Sequence, residues 1–275
     1  MTWKIEKHYF DLQTRDGQSF IGYRGLWGTP RLRLPYGAWL WKQPGQAAVF
    51  KQSLSAGELT GGVEPTGPGP EAPAGLTWIN RRLGLAGTWT GQGDGPSLRL
   101  ESEQGYIDWR VLGAACPARV CVGDRAMSGL GYWEKVELSL APWRLPFPEL
   151  RWGRFLADEG GFYLVWVAWL GGKPEERRLW SPEGELAGLA FESEAGGLEN
   201  GLNCEGGRLE FSSLDVLRQG PLFKTLGGRL SAAARLLPGD LGRAYEAKWF
   251  SRAAWRTEGG QDIYGWAIHE KVSWR

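Results

Sequence analysis

The chain carries one short acidic signature twice. Glu134-Lys135-Val136 recurs 136 positions later as Glu270-Lys271-Val272, almost half the 275-residue length away. Both copies lie in runs that alternate in strand fashion, with neighbouring side chains on opposite faces. Around the first, Tyr132, Glu134, Val136 and Leu138 share a face; around the second, Tyr264, Trp266, Ile268, Glu270, Val272 and Trp274 do. The larger apolar set predicts the inward face, so each glutamate is expected to point inward. A lone buried charge is costly, so such a carboxyl is either paired or protonated. Two roles stay open. Paired, it is a strut that fastens the end of its half of the chain. Protonated in an apolar cavity, it is a general acid. The run Leu150-Arg151-Trp152-Gly153-Arg154-Phe155 supplies groups for either role, since an Arg fork grips a carboxylate through two parallel bonds and Trp donates its indole N–H. In the acid reading Glu134 donates the proton, Tyr132 or Trp152 faces the developing cation and Arg154 tunes the acid. Glu270 is the second candidate acid.

Other chemistries find few residues. Two His and three Cys leave almost nothing for a His/Cys metal site or a His-based triad, and no metal or cofactor is expected. Cys116 and Cys121 are spaced too widely for a CxxC redox pair, Cys204 stands alone, and no disulfide is expected. The run from Gly91 to Pro96 lacks both the spacing of a phosphate-binding loop and a following helix. His269 projects away from Glu270 and reads as an exposed or rim residue; His8 reads as incidental. Asp11 and Asp16 read as turn or strand-end residues, and Asp108 as the polar-face partner of Arg110. A balance of 32 basic against 31 acidic side chains gives no electrostatic basis for binding nucleic acid or an anionic membrane surface.

Seventeen tryptophans are the strongest compositional feature. Indole is an inefficient core filler because its N–H needs a partner. Aromatic walls suit a pocket for a large flat or polyene ligand, and they stabilise carbocations. Trp152, Trp133, Trp109, Trp166 and Trp266, with Glu270, are the expected ligand-binding set. Wide aromatic cores would use Trp as well, and that reading stays open beside the first.

These side chains must be positioned by strands. Short β-rich or aromatic runs at 19–23, 38–41, 98–101, 106–112, 132–140, 162–170, 187–192, 208–212, 245–249 and 264–274 are bounded by Gly, Pro, Asp or Asn. Such spacing predicts an all-β sandwich or barrel. One short helix is expected at 231–237, capped by Ser231 and stopped by Pro238-Gly239. Residues 55–75, with six Gly, four Pro and no aromatic, predict a long surface loop, either a tolerated insertion or a flap over a cavity mouth. The repeated signature, near the end of each half, predicts two similar β-domains, 1–143 and 144–275.

The run Gly129-Leu130-Gly131-Tyr132-Trp133-Glu134-Lys135, then Pro146-Phe147-Pro148 and Leu150-Arg151-Trp152-Gly153-Arg154-Phe155, resembles the AttH-like/carotenoid 1,2-hydratase (hydroxyneurosporene synthase) group. Tyr9-Phe10-Asp11 with Asp16-Gly17 and Gly22-Tyr23, and Gly265-Trp266-Ala267-Ile268-His269-Glu270, are similar to that group too. Tocopherol cyclase, with a comparable Gly-Tyr-x-Glu-Lys segment, is a more distant resemblance. The resemblance implies two lipocalin-like antiparallel β-barrels in tandem, with at most one or two short helices, and a hydrophobic ligand of isoprenoid or polyene type. Where carotenoid hydratases carry Asp-His-x-Trp, this chain has Glu134, Lys135, Val136 and Glu137, so the resemblance implies the fold and not carotenoid hydration.

The expectation is a protein that holds a hydrophobic small molecule in a Trp-lined barrel cavity. It either catalyses cofactor-independent hydration, isomerisation or cyclisation started by a proton, or serves as a non-catalytic carrier or stress-related binding protein. The mixed, charged start of the sequence lacks a secretory apolar stretch, and the longest apolar run, 162–170, is too short to span a bilayer. A cytoplasmic protein without an integral membrane segment is expected. The sequence leaves its oligomeric state open.

Overall fold

The computed structural model describes residues 4–29, 32–61, 75–91, 95–140, 144–193, 199–221 and 244–274. The chain divides into two compact units, Met1–Arg144 and Leu145–Arg275. The helix expected at 231–237 and residues 62–74 of the expected loop lie outside the described residues, as do residues 92–94 of the Gly91 run.

The first unit is a sheet of ten antiparallel strands: β1 (Lys4–Gln13), β2 (Ser19–Thr29), β3 (Leu32–Lys42), β4 (Val49–Ser53), β5 (Glu58–Gly61), β6 (Gly75–Asn80), β7 (Leu85–Thr90), β8 (Ser97–Ser102), β9 (Gly105–Val122) and β10 (Arg125–Leu138). The second has nine: β11 (Glu149–Ala157), β12 (Tyr163–Leu170), β13 (Glu176–Ser181), β14 (Gly184–Leu186), β15 (Ala190–Ser193), β16 (Glu199–Cys204), β17 (Gly207–Pro221), β18 (Tyr245–Thr257) and β19 (Asp262–Ser273). No α-helix occurs among the described residues; a 3-10 turn, Arg81–Leu83, is closed by Gly84 in the left-handed region. The fold is all-β as expected. Its strands are longer than the sequence runs, and β5 occupies residues assigned to the surface loop.

Both units share one strand order. The first runs β4-β3-β2-β1-β10-β9-β7-β6-β5, with β8 added beside β9, and the second β14-β13-β12-β11-β19-β18-β17-β16-β15. In each, the last strand returns to pair with the first, and the ladder is open at a seam in the middle of the unit. In the first unit side chains fasten that seam. The indole of Trp39 on β3 donates to the carbonyl of Leu83 (3.2 Å), Trp78 on β6 to Ala56 (2.8 Å), and the Asn80 amide to Ser55 (2.7 Å).

The core of the first unit gathers Phe10, Phe20, Trp39, Trp41, Trp78, Trp89 and Trp133 with aliphatic neighbours. That of the second is built around Phe155, Trp166, Leu179, Leu202, Trp255 and Ala267. These clusters correct the expected inward face. On β10, Trp133 joins the core, which puts Tyr132 and Glu134 on the opposite face. On β19, Ala267 joins the core and Tyr264 is exposed, so the stripe of Trp266, Ile268 and Glu270 faces away from it. Tyr132, Glu134, Ile268 and Glu270 are nevertheless buried. A strand covered on both faces has no wet side, and the size of its apolar residues then says nothing about direction.

Candidate functional site

Glu134 is 4 % exposed and sits where β10 meets β1 and β9. Its Oε2 accepts hydrogen bonds from the indole of Trp109 and the hydroxyl of Tyr132, each at 2.6 Å. Tyr9 faces Glu134 across the β1–β10 ladder, and its ring meets those of Tyr23 (5.5 Å) and Tyr132 (6.1 Å) edge-on. A carboxyl is thus seated among three tyrosines and a tryptophan. Indole is a donor only, so Oε2 serves as acceptor, and a proton carried by this carboxyl belongs on Oε1. The sequence singled out Tyr132 and Trp109 but missed Tyr9 and Tyr23; strand register is what brings them together.

A local irregularity shapes this corner. Gly131 pairs with Cys116, Trp133 with Gly113 and Glu134 with Val111, so β9 carries extra residues within 112–115. Ala115 there takes a φ of 52°, a conformation few residues with a Cβ adopt. Such bulges bend a strand and re-aim its side chains. Gly113 is required by close approach, because a Cβ there would run into the indole nitrogen of Trp133.

Glu270 occupies the corresponding place in the second unit, facing Trp152 on β11 and Lys248 on β18. Lys248 forms an ion pair with its Oε2, lies 3.9 Å from Glu246 Oε1 and stands 5.6 Å over the Trp152 ring. Lys248 is a partner that the sequence did not point to. Arg154 is fully buried on the Trp152 face of β11, and its Nη1 donates to the carbonyl of Trp266 (3.1 Å). The Trp266 ring stacks on Phe250 (4.6 Å) with Arg252 above it at 5.3 Å. Trp133 and Trp166 are core residues of their units.

His269 departs from expectation. His269 is fully buried between Phe211 (4.2 Å) and Trp249 (5.2 Å), with Nε2 2.9 Å from the Ser251 hydroxyl. His8 lies on the inward face of β1, stacked parallel to Phe10. Asp11, read as a strand-end residue, is fully buried within β1, and its carbonyl accepts from Trp89 (2.7 Å). Asp16 does belong to a turn, bonded by Thr14 and Gln18. Asp108 takes two bonds from Arg110, at 3.0 and 2.7 Å, which hold its carboxyl below the usual range. The three cysteines are free thiols, and burial pushes Cys116 up to about 12. Among the described residues no helix is long and apolar enough to cross a membrane.

No family model matches the sequence, and neither does any curated protein. Solved structures do match in shape. CghA aligns over 98 % of this chain and 88 % of its own, at 10 % identity and a TM-score of 0.58. Kievitone hydratase from Nectria haematococca aligns over the same shares at 10 % identity and a TM-score of 0.56. An AttH-type protein from Nitrosomonas europaea aligns over 99 % of this chain and 92 % of its own, at 10 % identity and a TM-score of 0.51. The chain therefore has the lipocalin-like fold of the hydratase and AttH-type structures, over nearly its whole length.

Proposed function

We propose that this protein binds a hydrophobic, isoprenoid- or polyene-like molecule and catalyses its hydration, isomerisation or cyclisation by proton donation from Glu134. The observation that carries the proposal is a buried carboxyl oriented by Tyr132 and Trp109. Two fold relatives support it from outside the chain: one is a hydratase, and CghA has been crystallised with Sch210972. In this reading Oε1 of Glu134 delivers the proton, and the Tyr132 hydroxyl and Trp109 N–H remain on Oε2 to stabilise the carboxylate left behind. The aromatic rings nearby offer their faces to positive charge on the substrate. Arg154 and Trp152 belong to the second unit and are proposed to serve the second candidate acid there, the Glu270–Lys248 pair that faces Trp152. Trp133 is assigned to holding an apolar ligand in the first unit, and Trp166 and Trp266 in the second.

A carrier without catalysis is the second reading, favoured by the fact that Glu134 is anchored at Oε2 as a structural strut would be. Glu134→Gln separates the two. Mass spectrometry of organic extracts of the purified protein first names the ligand class. With a substrate of that class, turnover is expected to fall by about 10²–10⁴ in Glu134→Gln while binding stays nearly unchanged. Loss of thermal stability with turnover intact would remove the acid and leave the strut.

A further inference from the structure

We propose that the interior of the first unit carries a separate site, built on Glu6, His8 and Arg24, that recognises a weakly acidic hydroxyl on an otherwise apolar molecule. A phenol or an enol is the ligand class. The site lies on the opposite face of β1 from the Glu134 corner, so its test does not depend on the role of Glu134.

The inward positions of β1 grade from solvent to core. Side-chain exposure is 45 % at Lys4, 25 % at Glu6 and 8 % at His8, and Phe10 and Leu12 are fully buried. His8 stands where the charged rim gives way to the aromatic floor. Its ring stacks parallel to Phe10, with 6.0 Å between centroids, and Phe10 in turn packs on Trp78 and Trp89. Across the ladders His8 faces Arg24 on β2 and Lys135 on β10.

Glu6 Oε1 lies 3.4 Å from His8 Nε2 and accepts from Arg24 Nη1 at 3.4 Å. The contact with His8 holds the Glu6 carboxyl at about 2, so it is a carboxylate at neutral pH. Burial holds His8 below its ordinary range, opposed by Glu6 and reinforced by Arg24 and Lys135, so the ring is neutral there. A neutral imidazole has one N–H, and a carboxylate beside Nε2 draws it to that nitrogen. Nδ1 is left with a lone pair.

Nδ1 is buried and, among the described residues, has no hydrogen-bond partner; neither has Arg24 Nε next to it in the register. An acceptor and a donor of this kind, both shut away from water, fit a group that supplies the complement of each. A hydroxyl does so. Its O–H donates to Nδ1 while its oxygen accepts from Arg24. A carboxylate would set lone pairs against Nδ1, and an ammonium would meet Arg24 and Lys135. Acidity matters because charge that develops on the oxygen lies against the guanidinium; if the proton passes to Nδ1, the imidazolium lies against Glu6, and the proton returns on release. In the second unit the buried histidine has other company: His269 Nε2 lies against the Ser251 hydroxyl, and its ring packs on Phe211 and Trp249.

The experiment is equilibrium dialysis of the full chain at neutral pH against 2-naphthol and against 2-methoxynaphthalene, which keeps the oxygen but has no O–H. 2-Naphthol is expected to bind about tenfold or more tightly, because a site built around a hydroxyl discriminates against analogues without it. His8→Phe, which retains the stack on Phe10, is expected to reduce the preference to about twofold or less. Equal binding of the two probes, binding of neither, or a preference that survives His8→Phe overturns the proposal. Imidazole ¹⁵N spectra of the unsubstituted protein give a test free of folding effects, since only His8 and His269 contribute. The Nε2–H form of His8 is expected, with 2-naphthol shifting Nδ1 of His8 and leaving His269 in place. A Nδ1–H form, or no shift at saturating 2-naphthol, also overturns it.

Discussion

Glu134 and Glu270 share a place in the topology and differ in what holds them. The first accepts from the Trp109 indole and the Tyr132 hydroxyl; the second is half of an ion pair with a lysine that is 1 % exposed. Removing one partner of a buried pair leaves the other charge under-compensated, here with Glu246 at 3.9 Å as a carboxylate still near Lys248. Glu270→Gln is therefore expected to cost about 3 kcal/mol, read from the denaturant midpoint, whereas the double change Glu270→Leu with Lys248→Met should recover most of that loss. Acid sensitivity is also set at this scale. Glu6 ionises more readily in the folded chain than in the unfolded one, so its stabilising contribution is complete above its ordinary value of 4.5 and is lost as pH falls towards about 2. His8 is held neutral by the fold, so the unfolded chain takes up protons first below 6.5 and stability is lost there too. In melting curves against pH, Glu6→Gln should flatten the drop between 4.5 and 2 and enlarge the one below 6.5, because Glu6 helps His8 to hold its proton.

At the scale of elements, two glycines fix how closely the central strands pack. A Cβ on Gly113 would strike the Trp133 indole, and one on Gly153 would strike that of Trp166, each on the core side of its unit. Gly113→Ala and Gly153→Ala are each expected to destabilise by about 1–3 kcal/mol in thermal or denaturant unfolding. With Gly113→Ala the strain falls beside Glu134, so the proposed activity should drop alongside stability. Strand type and the Asp108–Arg110 pair were legible in the sequence, because alternation and turn residues are local signals. The direction of the faces was not. β10 and β19 are buried on both sides, and the apolar stripe that includes Trp266 and Ile268 lies opposite the core, whose share of β19 is the smaller Ala267. The surroundings of His8 were hidden for a related reason: Glu6 and Phe10 are near in sequence, but only the β1–β2 register supplies Arg24.

For the molecule as a whole, the duplicated signature proved informative because it sits on the returning strand of each sheet, β10 and β19. The resemblance carried by short motifs at both ends and the middle matched the fold that the solved structures share, while the proposed reaction rests on side chains whose company only the three-dimensional arrangement reveals. That returning strand also governs how each sheet is assembled in time. Hairpins of near neighbours make up almost every ladder, but Ile5 waits for Leu138 and Glu149 for Ser273. At the pace of a ribosome, the open flank of β1 stands unpartnered for on the order of ten seconds. Through that interval the nascent chain presents a sticky border to any other strand it meets. The geometry that unites the first and last strands of each unit thus makes its birth the moment of greatest exposure to misassembly.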